Sequence, residues 1–284
     1  MPILPLSSPE ATLENAGGKG ASLARLALLG LPVPPGFIVT TAAYRAFVAA
    51  NDLDGCIASA LGGLTAEDAA GLERASAQIR ADFTAGKLPD EIAAPLDAAY
   101  RALGAPPVAV RSSATTEDLP ELSFAGQQDT FLNVVGERQL RAAVVDCWSS
   151  LWTARAIGYR LRNAIPHDGA ALAVVVQELV PSETSGVLFT ANPLSGLLSE
   201  AVIDATFGLG EALVSGQVEP DHYVADSRSG EILSQTLGNK ATATQSKTGG
   251  GVENVRAEAG GKQTLSAAQV RQLVSAGRQI QEEY

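Results

Sequence analysis

Three short segments combine backbone freedom or small hydroxyls with groups able to hold phosphate. They are Gly17-Gly18-Lys19-Gly20, Ala109-Val110-Arg111-Ser112-Ser113 and Ser123-Phe124-Ala125-Gly126-Gln127-Gln128-Asp129-Thr130. After the first, Leu23, Leu26 and Leu29 recur at helical spacing until Gly30 and Pro32 interrupt the pattern. The spacing predicts a helix over residues 20–29, with Lys19 at its N-terminal end. A cation there opposes the helix dipole by up to about 1 kcal/mol. That position makes sense if an anion lies between the ammonium and the exposed N–H groups, with the glycines letting backbone come close. A solvated lysine in a flexible turn is the alternative. The segment does not match G-x-x-x-x-G-K-[ST], so a phosphate loop of that pattern is excluded.

Arg111 follows the apolar run Val108-Ala109-Val110, which reads as a short buried strand leading into it. A strand end is a rigid mount from which a guanidinium can grip phosphate bidentately. Pairing with Glu117 or Asp118 is the alternative. Around Gly126, hydroxyl and amide donors suit either a cover over phosphates or an ordinary hairpin loop. Gln177 and Glu178 close an apolar strand over residues 171–180. Its edge-on backbone groups and one side-chain amide could read adenine, or the strand simply turns polar as it surfaces. Glu211 takes a ribose hydroxyl or a metal, or else caps a short helix. Lys240 reaches phosphate or is solvated. His167 and His222 stand isolated without metal-ligand spacing, and no Ser/His/Asp or Cys/His arrangement is legible.

The elements that must position these groups are partly visible. Thr65-Ala66-Glu67-Asp68 resembles a capping box before a helix carrying Leu72, Ile79 and Phe83. A second helix is striped by Ile92, Leu96, Tyr100 and Leu103, and a third by Leu140, Val144, Trp148 and Leu151, which places Trp148 in a core. Strands are expected over residues 130–135, 186–190 and 200–204, then a turn at 208–211 into a short helix, and a hairpin around residues 226–230. Ser266, with Gln269 three residues on, caps a last helix lined by Val270, Leu273, Val274 and Ile280. That pattern still runs at Tyr284, which leads to the expectation of a fragment.

With 284 residues, 46% of them hydrophobic, the chain can bury substantial cores. Two lobes are expected, residues 1–180 and 181–284, with the boundary near Pro181. No stretch approaches the roughly 18 apolar residues of a membrane span, and no signal-peptide pattern opens the chain, so a cytoplasmic protein is expected. Cys56 and Cys147 suggest neither a disulfide scaffold nor a zinc site. The net charge of −11 argues against a general nucleic-acid binder. It also means that cations must be concentrated wherever a polyanion binds. At about 4 Å and an effective dielectric near 20, one charge pair is worth about 4 kcal/mol. Diffuse repulsion, by contrast, is screened beyond about 10 Å.

Together these segments resemble the ATP-binding domain of the phosphoenolpyruvate synthase, pyruvate phosphate dikinase and rifampicin phosphotransferase family. The resemblance runs from about Asn15 to Tyr284. It is carried by Gly17-Gly18-Lys19-Gly20-Ala21-Ser22-Leu23, Val33-Pro34-Pro35-Gly36-Phe37 with Thr40-Thr41, and Val110-Arg111-Ser112-Ser113-Ala114-Thr115. Phe124 to Asn133, Ser185-Gly186-Val187-Leu188-Phe189-Thr190 and Gly208-Leu209-Gly210-Glu211 follow in family order. The likeness implies an α+β, ATP-grasp-like fold with ATP between two lobes, the second incomplete at its C-terminal end. It implies that Lys19 and Arg111 hold phosphates, as the catalytic cations, that Gly126 and Thr130 belong to the covering loop, and that Gln177 and Val180 fall in the adenine-reading strand. ATP and Mg²⁺ are the implied cofactors, with metal ligands unknown because the family's ligand segment would lie beyond Tyr284.

The implied partners are a swivelling phosphohistidine domain and an acceptor-binding domain. The β-phosphate of ATP would pass to that histidine, releasing AMP and phosphate, and then to an acceptor. Ala191-Asn192-Pro193 and the run from Phe207 to Gly216 look closer to rifampicin phosphotransferase, which favours a rifamycin-type hydroxyl over pyruvate. The fragment alone is expected to be inactive. A non-catalytic nucleotide-binding module is the other reading.

Overall fold

Leu172 through Val176 are fully buried, every one apolar. The strand they form, β5 (Leu172–Glu178), sits third in a five-stranded sheet of order β1-β2-β5-β3-β4. The other members are β1 (Ile3–Pro5), β2 (Gly36–Val39), β3 (Val108–Ala114) and β4 (Thr130–Val134), and every neighbouring pair is antiparallel. Five consecutive buried apolar residues in an antiparallel strand mean that it is covered on both faces. One face carries Phe37, Val39, Val110, Val174 and Val176 against the helices α2 (Thr41–Ala50), α3 (Leu53–Leu61), α4 (Ala69–Ala85), α5 (Asp90–Ala102), α6 (Gly136–Ser150) and α7 (Ala154–Arg162). Trp148 lies fully buried in that core. The other face carries Leu4, Ile38, Ala173 and Val175 under α1 (Leu13–Leu28).

This computed structural model describes residues 1–115, 130–257 and 260–283. The chain divides into two compact units, Met1–Leu179 and Val180–Tyr284. The second contains the meander β6 (Thr184–Phe189), β7 (Glu200–Phe207), β8 (Asp221–Asp226) and β9 (Ile232–Thr236). It also holds the short α8 (Glu211–Val214), the hairpin of β10 (Thr242–Ser246) and β11 (Val252–Arg256), and α9 (Ala267–Glu283). Val270 and Val274 of α9 pack with Ala201, Ile203, Tyr223 and Ala225 of the meander. Antiparallel sheets with their helices set apart make this an α+β chain. Among the described residues no helix is long and apolar enough to cross a membrane.

Several local expectations are corrected. The first helix starts at Leu13, not Gly20, capped by Thr12 and Asn15 in a reciprocal box. It is broken at Gly17, whose φ of 69° and ψ of 173° are not helical. Lys19 therefore stands in the first turn after an internal break. For α4 the cap is Asp68, which accepts the Gly71 N–H at 2.8 Å, and not Thr65. Val180 lies beyond the end of β5 and is half-exposed. The Ser266–Gln269 cap of α9 is present in both directions, at 2.8 and 3.4 Å.

Candidate functional site

Antiparallel register decides which side chains share a face, because residues directly opposite point the same way. Ile38, Val175, Arg111 and Thr130 are partners in one row across β2, β5, β3 and β4. Ser113 stands opposite Ala173, and Gln177 between Gly36 and Ala109. Ile38, Ala173 and Val175 belong to the α1 side of the sheet, so Arg111, Ser113, Thr130 and Gln177 do as well. In β4 the register slips by one residue between the Val110 and Val108 pairs. The slip coincides with Asn133, whose φ of 55° is in the left-handed region that asparagine tolerates.

The glycine turn meets this face at Ser113. The Ser113 hydroxyl accepts the Gly20 N–H at 3.0 Å and donates to the Ala16 carbonyl at 2.8 Å. These contacts lie on either side of the Gly17 break. A Cβ at Gly17 would fall 2.2 Å from the Ser113 carbonyl oxygen, so only glycine allows this approach. Lys19 directly precedes the anchored Gly20. Arg111 is two residues from Ser113 on the same face, about 7 Å along an extended strand. The structure thus brings the backbone beside Lys19 up to the strand of Arg111 on the α1 side of the sheet, with Thr130 beside Arg111 in register. Gly126 lies outside the described residues, as do Glu117 and Asp118.

Other expected groups have different occupations. The Gln177 amide donates to the Pro34 carbonyl at 3.0 Å, so it ties β5 to the segment before β2. Glu211 makes no side-chain cap on α8, whose cap is Gly210. Lys240 is neither solvated nor an outward cation: it is fully buried in unit 2, paired with the equally buried Asp221. Burial alone would raise the Asp221 carboxyl. Hydrogen bonds from Lys240, Thr264 and the Gly238 amide outweigh that and hold it below the ordinary carboxylate range.

The histidines are not isolated either. His222 Nδ1 lies 2.7 Å from Asp204, and His167 Nδ1 accepts from Arg160 Nε at 2.9 Å. Burial, then the neighbouring Arg160 charge, hold the His167 pKa below its usual value. Among the described residues no three His, Cys, Asp or Glu side chains gather as a metal site.

Sequence reasoning missed Ser113 as the link between the two cationic segments. The pair Ala16/Ser113 is 97 residues apart, and nothing local marks it. It also missed a groove within unit 2 of about 660 Å³, lined in part by Glu183, Gly208, Leu209, Thr244 and Arg256. Gly208, at φ 75°, packs so closely that a Cβ would meet the Thr244 carbonyl oxygen at 2.4 Å. Ser185 donates to the Gly208 carbonyl at 2.7 Å, fixing the turn from the other side. A cavity of about 900 Å³ in unit 1, lined by Tyr44, Trp152 and His167 among others, is on the helical side of the sheet and holds none of the expected residues.

In this α+β chain Lys19 in the glycine turn of α1 and Arg111 on β3 stand on neighbouring segments joined through Ser113, a cationic pairing that suits a polyanion. Comparison with known proteins gives this chain its family. Residues 13–284 match the pyruvate phosphate dikinase AMP/ATP-binding domain, and the chain belongs to that family. It is 43% identical over 276 residues to a probable phosphoenolpyruvate synthase of Methanothermobacter thermautotrophicus, covering 95% of this chain and 40% of that protein. It is 42% identical over 275 residues to a rifampicin phosphotransferase of a Streptomyces species, covering 95% of this chain and 32% of that protein. A phosphoenolpyruvate synthase of Aeropyrum pernix is 45% identical over 242 residues, 81% of this chain and 29% of its own length. The chain thus spans less than half the length of these relatives.

Proposed function

We propose that this chain binds Mg-ATP as the nucleotide domain of a dikinase-type phosphotransferase with an ATP-grasp-like fold. The observation that carries the reading is the Ser113 contact, which sets the Gly17-Gly18-Lys19-Gly20 turn against the strand bearing Arg111. Lys19 and Arg111 hold phosphate oxygens, Thr130 and Gly126 contribute to the cover, and the backbone after Gln177, through Val180, faces the base.

Mg²⁺ would come as an ion carried on the phosphates, because Lys19 and Arg111 are themselves cations and cannot ligate it. The described residues gather no carboxylate cage for it, and Mg²⁺ commonly keeps waters and binds through substrate phosphates. When bound, it neutralises phosphate charge. The chain's own part is positioning and electrostatic stabilisation.

In the full reaction of this reading, ATP, water and an acceptor give AMP, inorganic phosphate and the phosphorylated acceptor, by way of a histidine on a partner domain. Relatives named for phosphoenolpyruvate synthesis and for rifampicin phosphorylation match at 43% and 42% identity. These residues therefore leave pyruvate and a rifamycin-type hydroxyl to be distinguished by AMP release from the complete enzyme with each acceptor. The decisive test for this chain is calorimetric titration with Mg-ATP. Wild type should bind, and Lys19→Ala and Arg111→Ala should each weaken binding about tenfold or more. Equal affinity in all three would end the reading.

A further inference from the structure

We propose that Ser113 is a positioning residue for the phosphate-holding pair. Its buried hydroxyl, held between two backbone groups of α1, sets the spacing of the glycine turn from Arg111 so that one nucleotide meets both cations. The proposal rests on the nucleotide reading above and deepens it, giving the Ser113 contact a measurable part in binding.

Some helix starts in this chain are capped by a local side chain, while α2, α3, α5, α6 and α8 have no side-chain cap. Thr12 caps the beginning of α1, Asp68 caps α4 and Thr153 caps α7, each by accepting an N–H three residues on. The second start within α1, after Gly17, cannot be served this way, because glycine has no side chain. Its cap comes from β3 instead. Ser113 uses the hydroxyl's proton on Ala16 and a lone pair on Gly20. Both capacities act inside a fully buried contact, so the bonds face no competition from water. Gly17 supplies the complementary half: its missing Cβ lets the Ser113 backbone and hydroxyl approach, where a Cβ would lie 2.2 and 2.4 Å from the Ser113 oxygens. The strand offering the cap is itself fixed, paired to β5 at every position from Val108 to Ala114 and to β4 on its other edge. The Lys19 backbone is therefore indexed to the strand of Arg111.

The test uses this chain with Ser113→Ala and Ser113→Thr, reading the Kd for Mg-ATP by calorimetry well below the thermal midpoint, and the midpoint itself without nucleotide. Ser113→Ala should raise Kd about tenfold or more, since a positioning error is felt at both cations. Ser113→Thr, which keeps the hydroxyl, should stay within about threefold of wild type. A folded Ser113→Ala protein with wild-type Kd overturns the proposal and leaves the nucleotide reading standing. Equal loss in both variants also overturns it. No binding by wild type removes the nucleotide reading and this proposal with it.

If Ser113→Ala does not fold, hydrogen exchange on wild type decides. Mg-ATP should protect the amides of residues 17–20 and 109–113 with a single titration midpoint. Protection confined to one segment overturns the proposal.

Discussion

A Cβ at Gly17 would have to displace the Ser113 backbone, because the nearest contact is a carbonyl oxygen and not the end of a flexible side chain. Gly17→Ala should cost about 2–3 kcal/mol in urea unfolding, from the positive φ and the lost approach together. The Asp221–Lys240 pair makes a larger test. With both groups fully buried, Lys240→Met leaves a carboxylate stranded and should destabilise the chain by about 3–5 kcal/mol. Adding Asp221→Asn should recover part of that loss in a double-mutant cycle. The pH sign follows from the depressed carboxyl. Asp221 contributes stability above the unfolded carboxylate pKa, near about 4, and loses it as pH falls through the lower folded value. Asp221→Asn should therefore flatten the acid limb of a midpoint-against-pH curve; an unchanged limb would assign the acid sensitivity elsewhere.

At the scale of elements, α9 shows a helix whose start is written in sequence: Ser266 and Gln269 form the cap and Val270 and Val274 the buried stripe. Ser266→Ala should cost about 1 kcal/mol, measured by urea unfolding. The meander from β6 to β9 and the α6 helix were equally legible, because alternation and a 3–4 spacing are local patterns. The helices α2, α3 and α7 were not. In α2, Thr41–Ala50, alanines blur the apolar stripe, and Gly55 and Gly158 interrupt α3 and α7.

The start of α1 was hidden because its three glycines read as loop, although Thr12 and Asn15 spell a cap. Lys240 shows where local reading ends. Its partner Asp221 is 19 residues away, and no sequence rule says that the two will face each other in a dry interior. The candidate site reads as three phosphate-capable segments, the third of which lies, up to Asp129, outside the described residues. What joins two of them, Ser113 reaching α1, depends on a contact of high sequence separation.

Across the whole molecule, each unit has its own core: the α2–α7 side and the α1 side of the first sheet in residues 1–179, and the α9 side of the meander in residues 180–284. Residues 1–179 expressed alone should fold, giving a cooperative thermal transition by circular dichroism. A gradual, non-cooperative melt would show that this core depends on the rest of the chain. The net charge of −11 makes the local placement of Lys19 and Arg111 decisive for any polyanion, since the chain as a whole repels one. The chain's two tryptophans, Trp148 and Trp152, are both buried in the first unit. Indole emission is consequently an optical probe of the first unit alone: it reddens when the α2–α7 packing opens to solvent, and stays dark to any loosening confined to residues 180–284.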